Sequence, residues 1–181
     1  MGVAADFEAV IARGGVVVFP ADTVYGLACA PGDAAAIARM YAMKGRSPDK
    51  RSAVMHFTPD GVPPLAPRTA AAVHELVPGP LTFVVGNEGF RVPDVPLLAG
   101  VRVPVLQTSA NHAGGPNPRT LADIPEDIRA AADLVIDGGE LPGISSTVVD
   151  LTDYELDGEW RVLRAGAVTA GDLAAVLDVE G

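Results

Sequence analysis

Between Gly14-Gly15 and Pro20 the chain runs through Val16, Val17, Val18 and Phe19 without a polar residue. Such a run has no polar side to turn to water, so it predicts a strand covered on both faces. A strand of that kind needs neighbouring strands and helices packed above and below. The rest of the chain supplies them. Residues 5–13 predict a short helix stopped by the two glycines, and Asp33 predicts the cap of a helix over 34–44. On that helix Ile37, Met40, Tyr41 and Lys44 share one face, and Gly45 ends it. Strands are predicted at 53–57 and 81–85, with a helix over 68–77 between them broken by Pro78-Gly79-Pro80. Residues 86–99 read as irregular, and 100–103 and 105–108 as short strands on either side of Pro104. A helix over 121–132, strands at 133–137 and 147–151, a hairpin turning near Gly158, and a last helix capped by Thr169 and Asp172 complete the pattern. Interleaved strands and helices predict an α/β or α+β fold, an open sheet with flanking helices.

At 181 residues, 49% of them hydrophobic, the chain suits a single domain over 1–181. No apolar run approaches the roughly 20 residues needed to cross a bilayer, so no membrane association is expected. Asp6 and Glu8 sit where a secretory leader would be basic and then apolar. The lone Cys29 cannot form an internal disulfide, which fits a cytoplasmic setting.

Net charge is −10, which argues against a protein that grips RNA by its backbone, so weak or no direct RNA binding is expected. The charge is unevenly spread. Arg39, Lys44, Arg46, Lys50 and Arg51 fall close together with only Asp49 against them, whereas residues 121–160 are acidic apart from Arg129. A short basic segment in an acidic chain is either a local anion site or a solvated loop after a helix.

No glycine-rich phosphate loop, dinucleotide turn or nucleophile elbow is present. His56, His74 and His112 are scattered and lack metal-ligand spacing, which predicts no protein-held metal. Four segments concentrate polar chemistry next to strand ends, where α/β sheets bind ligands. They are Phe19 to Leu27, Lys44-Gly45-Arg46, Ser109-Ala110-Asn111, and Ser146 to Asp150 followed by Leu163-Arg164-Ala165-Gly166. Taken singly, each has an ordinary structural explanation as turn or strand-entry chemistry.

Together and in this order they resemble the YrdC family of threonylcarbamoyl-adenylate synthases. The strongest stretches are D-T-V-Y-G-L at 22–27, K-G-R at 44–46, P-G-P-L-T at 78–82, V-R-V-P at 101–104, S-A-N at 109–111 and S-T-V-V-D at 146–150. The resemblance implies a twisted mixed sheet with a concave basic cleft. It implies a reaction that joins L-threonine, bicarbonate and ATP, with Mg2+ arriving on the ATP phosphates and a downstream tRNA threonylcarbamoyl transferase complex taking the product. It implies Lys44, Arg46, Ser109 and Asn111 as the catalytic set. Thr23, Arg102, Ser146 and His56 would hold threonine, and Arg46, Lys50, Asn111 and Arg164 the nucleotide. The chain departs from the family pattern at Ala21, His112-Ala113 and Ala165, and most of all between Arg102 and Ser109, where a helix is lacking. That gap predicts a barer sheet face and self-association or a partner there. A non-catalytic nucleotide or RNA binding module of the same fold, and an enzyme of the same chemistry with another substrate, are the competing readings.

Overall fold

The computed structural model describes residues 2–49 and 52–178. Its first half runs helix α1 (Val3–Ala12), strands β1 (Val17–Pro20) and β2 (Tyr25–Cys29), helix α2 (Ala34–Lys44), strand β3 (Ala53–Met55), helix α3 (Pro67–Leu76) and strands β4 (Leu81–Val85) and β5 (Glu88–Arg91). Then come strand β6 (Val105–Ser109), helix α4 (Glu126–Ala131), strands β7 (Leu134–Val135) and β8 (Thr147–Asp150), helix α5 (Tyr154–Asp157), strand β9 (Arg161–Arg164) and helix α6 (Ala170–Leu177). The strands form one sheet in the order β7-β1-β2-β6-β3-β5-β4-β8-β9. β1 and β7, β3 and β5, and β4 and β8 pair in parallel, and the remaining neighbours are antiparallel. This is the mixed sheet with flanking helices that the sequence predicts. No helix among the described residues is long and apolar enough to cross a membrane.

The apolar run behaves as expected, since Val16, Val17, Val18 and Phe19 are all fully buried. Side chains alternate across a strand, so successive residues feed different layers. Val17 and Phe19 join Phe7, Val10 and Ile11 of α1, together with Ala28, Met55 and Val105. Val16 and Val18 join Leu27 and Cys29 beneath Ala36 and Met40 of α2 and Ile128 of α4. A third cluster under α3 and α6 holds Leu81, Phe83, Phe90 and Val149. Helix ends follow the sequence. The Asp33 carboxylate accepts from the backbone N–H groups of Ala35 and Ala36 at 3.0 Å, and Gly45 closes α2 at φ +61°. Thr169 and Asp172 cap α6 reciprocally.

Several expectations are corrected. The turn after Pro20 is short, and a second strand, β2, starts at Tyr25 and pairs antiparallel with β1. Residues 86–99 are not irregular throughout: Gly86 and Asn87 turn the chain into β5, between β4 and β3. Residues 100–103 form no strand. The helix predicted over 121–132 splits at Pro125, with a 3-10 turn at Leu121–Asp123 and α4 beyond it, because the residue before a proline is pushed to extended backbone. Gly158 ends the one-turn helix α5 rather than a tight hairpin, although β8 and β9 do pair antiparallel.

The barer sheet face is not found. Segment 92–104 folds over it, with a 3-10 turn at Pro96–Leu98, and Leu98 and Val101 are fully buried against the α1 cluster. That removes the reason to expect self-association or a partner at this face. Leu97 and Val103 stay partly exposed, as scattered surface apolar residues ordinarily do.

If this segment substitutes for a helix, Leu98→Ala should destabilise the protein by about 2–5 kcal/mol, the cost of a cavity in a packed core. Urea denaturation of the two proteins checks this. A change within about 0.5 kcal/mol, as for a surface residue, would show that the segment is only a loop.

Candidate active site

Inside the curve of the sheet lies a cleft of about 440 Å³. Its polar lining comes from segments far apart in the chain, among them Thr23, Arg46, Thr82, Asn87, Arg91, Ser109, Asn117, Ser146 and Arg164. It includes three guanidinium groups and, among the described residues, no carboxylate. In a chain of net charge −10, that concentration marks an anion site.

At one corner the β1–β2 turn meets the end of β5. Arg91 is 3% exposed, and its Nη2 donates to Asp22 Oδ1 in a buried ion pair. Burial pushes the Asp22 carboxyl above its usual range, and the Arg91 charge and the Thr23 hydroxyl only partly oppose it. Arg91 Nε has no hydrogen-bond partner, and Asp22 Oδ2 and Thr23 Oγ1 have none of good geometry, although the Thr23 hydroxyl lies close enough to Asp22 to favour its charge. An orphaned buried group costs about 1–3 kcal/mol, and Thr23 and Arg91 line the cleft, where a polar ligand can reach them.

On the opposite wall Ser146 is 4% exposed, with its Oγ 2.9 Å from Thr82 Oγ1. Arg164 Nη2 donates to Ser146 O at 2.8 Å and to its Oγ at 3.0 Å. Burial, and then the Arg91 charge, lower the Arg164 pKa, so the two cations feel each other across the cleft. Gly166 allows this wall to close, because a Cβ there would come within 2.3 Å of Ser145 O. Asn117 Nδ2 donates to Ser145 Oγ at 3.0 Å and Gly143 O at 3.2 Å, tying the two loops together.

The floor is the S-A-N turn after β6. Ser109 Oγ donates to Asn111 Oδ1 at 2.6 Å, and Asn111 Nδ2 donates to Gly115 O at 2.7 Å and Pro116 O at 3.1 Å. Arg46 reaches in from beyond Gly45, with Nη1 3.3 Å from Thr108 Oγ1 and its guanidinium 5.5 Å from the centre of the Tyr41 ring.

The profile of the Sua5/YciO/YrdC family, described as Telomere recombination, matches residues 9–166. This chain belongs to the Sua5/YciO/YrdC family. It is 33% identical over 175 residues to a threonylcarbamoyl-AMP synthase of Chromohalobacter salexigens, covering 83% of this chain and 94% of that one. It is 30% identical over 192 residues to a Pyrococcus abyssi protein of the same name, covering 92% of this chain and 55% of that one, so it spans about half of that relative's length. The crystal structure of P. abyssi Sua5 complexed with L-threonine superposes with a TM-score of 0.84 at 27% identity, covering 94% of this chain and 56% of that one.

The Sua5/YciO/YrdC fold brings Thr23, Arg46, Ser109, Ser146 and Arg164 together on one cleft, as the resemblance implies. Four others named by the resemblance, among the described residues, do not line it. Arg102 lies outside the cleft, with its backbone N–H held by Glu8 Oε1 of α1 at 2.6 Å. The reason is a repeated tripeptide: R-V-P occurs at 91–93 and again at 102–104, and only the first copy ends a strand that opens into the cleft. With Arg91 as the match, the connection to Ser109 is longer than expected and holds the Pro96–Leu98 turn. His56 lines a neighbouring apolar groove rather than the cleft, and its backbone N–H donates to Arg91 O. Asn111 is a buried part of the floor, 7% exposed, and Lys44 lies beneath it, 2% exposed, away from the cleft surface. Lys50 lies outside the described residues. Asn87, Arg91 and Asn117 are site residues that the motifs do not contain, and Asp22, at the corner, lies in the D-T-V-Y-G-L motif without a role assigned from sequence. For Arg91 the signal was present, in the duplicated R-V-P.

The two arginines should therefore behave differently. Arg91→Met strands a buried carboxylate and should cost about 3–5 kcal/mol, whereas Arg102→Ala should stay within about 0.5 kcal/mol. Thermal or urea denaturation distinguishes them, and equal effects would mean that the cleft corner is misassigned.

Proposed function

We propose that this chain condenses L-threonine, bicarbonate and ATP into threonylcarbamoyl-AMP and pyrophosphate. The observation that carries the reading is the meeting of Thr23, Arg91 and Ser146 in a cleft lined by three guanidinium groups and, among the described residues, by no carboxylate. An amino acid bound there meets a cation for its carboxylate and polar atoms for its other ends. Arg91, whose Nη2 is already held by Asp22, meets the carboxylate in the role the resemblance implies for Arg102. Thr23 Oγ1 and Ser146 Oγ bond the polar groups of the substrate.

The threonine amine adds to the carbon of bicarbonate, water leaves, and a carbamate forms. A carbamate oxygen then attacks the α-phosphorus of ATP, the bond to the β-phosphate oxygen breaks, and pyrophosphate departs. All the reacting parties are anionic, so the protein's task is to hold them together and offset their repulsion. Arg46 and Arg164 supply that charge along the nucleotide, above a floor in which the Ser109 hydroxyl is committed to Asn111 Oδ1. Electrostatic stabilisation of this kind is often the largest catalytic contribution. With no carboxylate among the described lining residues, magnesium enters as the counter-ion of the ATP phosphates, which leave it needing few protein ligands. The product passes to a tRNA threonylcarbamoyl transferase complex in the cytoplasm. The acidic balance of the chain fits a protein that leaves RNA binding to that partner.

Purified protein with ATP, magnesium and bicarbonate should release pyrophosphate only when L-threonine is present. L-serine should support turnover about 10–200-fold less well, the worth of one methyl contact. Equal pyrophosphate release without any amino acid would sink the assignment. Thr23→Val keeps the shape of the corner and removes its hydroxyl. Calorimetric titration should show weaker threonine binding, with ATP binding changed less than about threefold, because one hydrogen bond at the amino-acid corner is lost. Unchanged threonine affinity would remove Thr23 from the site.

A further inference from the structure

The K-G-R segment splits into two jobs. Helix α2 ends at Lys44, Gly45 turns the backbone into the left-handed region, and Arg46 emerges into the cleft. Lys44 goes the other way. Its ammonium donates to Ser109 O, to Asn111 O at 2.5 Å and to Asn111 Oδ1 at 3.0 Å. An ammonium has three donors and no acceptor, so these three oxygens saturate it. Its own carbonyl accepts from the Ala113 N–H at 2.9 Å, which latches the far end of the same turn. Buried to 2% exposure, the group has neither a donor to spare nor a path to a phosphate.

We infer that Lys44 is a positioning residue, which sets the Ser109–Asn111 turn from below so that Ser109 faces the substrates, and that it does not touch the nucleotide. The inference rests on the nucleotide-using reaction proposed above. Three backbone and side-chain oxygens converging in one small space would repel one another, and a buried cation lets them do so. Asn111 is shared by Lys44, Ser109, Gly115 and Pro116, so the ammonium orders the whole loop through one amide. Burial, and then the Arg46 charge, push the Lys44 pKa down to about 8, which leaves the ammonium charged with all three donors at pH 7.

The test has two arms. In wild-type protein labelled with 15N-lysine and 15N-arginine, the Lys44 Nζ signal should exchange slowly, being assigned by its absence in Lys44→Met, as the Arg46 Nε signal is by its absence in Arg46→Lys. Adding Mg-ATP should leave it unmoved while the Arg46 Nε signal shifts. A Lys44 Nζ signal that shifts with ATP as strongly as Arg46 would overturn the inference. In the second arm, Lys44→Met and Ser109→Ala should each lower kcat while KM for ATP changes less than about threefold. The double variant should be no slower than the slower single one, because residues acting as a unit are not additive. Multiplying losses together with a tenfold or greater rise in KM for ATP would make Lys44 a phosphate ligand. If Lys44→Met fails to fold, the wild-type arm decides, with the signal assigned by its contacts to the S-A-N turn. If wild type gives no ATP-induced shift at Arg46 either, the proposed reaction is at fault rather than the role of Lys44.

Discussion

The ion pair of Arg91 and Asp22 reaches across the sheet. Arg91 ends β5 and Asp22 lies in the turn that joins β1 to β2, and β6 and β3 stand between those strands in the order of the sheet. Strands lie about 4.8 Å apart, so in a flat sheet the two side chains would be hard pressed to meet. Asp22 sits in a turn rather than on a strand, so their contact brings the β1–β2 turn over the intervening strands to the end of β5. Burying such a pair is expensive and is repaid only when its geometry is good and its remaining polar atoms find partners. Here Asp22 Oδ2 has none of good geometry and Arg91 Nε none at all within the protein. Arg91 also lines the cleft, so the pair is joined to the site through its arginine.

A similar economy runs through the floor. Lys44 is the end of a helix, yet its charge serves a turn that follows β6, sixty-odd residues further along. Gly45 and Gly166 are glycine for different reasons. Gly45 needs a positive φ, whereas Gly166 must leave room for the Ser145 carbonyl. One lets Arg46 leave its helix toward the cleft, and the other lets β9 bring Arg164 against Ser146.

Much of this was legible in the sequence. The buried run Val16 to Phe19, the Asp33 and Gly45 ends of α2, the strand Leu81–Val85 and the Thr169–Asp172 cap all sit where local chemistry puts them, because caps and periodicity act over a few residues. Strands β2 and β5 were missed because each is short, carries a glycine, and is defined by its neighbours rather than by its own pattern. Thr23, Arg46, Ser109, Ser146 and Arg164 were found as motif residues. The motif points to Arg102 although Arg91 carries the same R-V-P, and only the sheet order says which copy opens into the cleft. Burial of Lys44 was illegible for the same reason: a lysine at a helix end reads as solvated until the segment that encloses it is known.

The connection from β7 to β8 has a wider consequence. β7 is one edge of the sheet and β8 lies next to the other, and on its way the chain bonds to Thr23, Tyr25 and Arg119, from Gly143, Gly138 and Leu141 respectively. The walls of the cleft are thus drawn from residues as far apart as Thr23 and Arg164, and no contiguous fragment short of that span contains them all. Contacts between distant residues pay their loop-closure entropy before they return any stability. A nascent chain emerging from the ribosome accordingly has a hydrophobic layer to build on long before it has a place to bind a substrate, and activity arrives all at once, with the last strand.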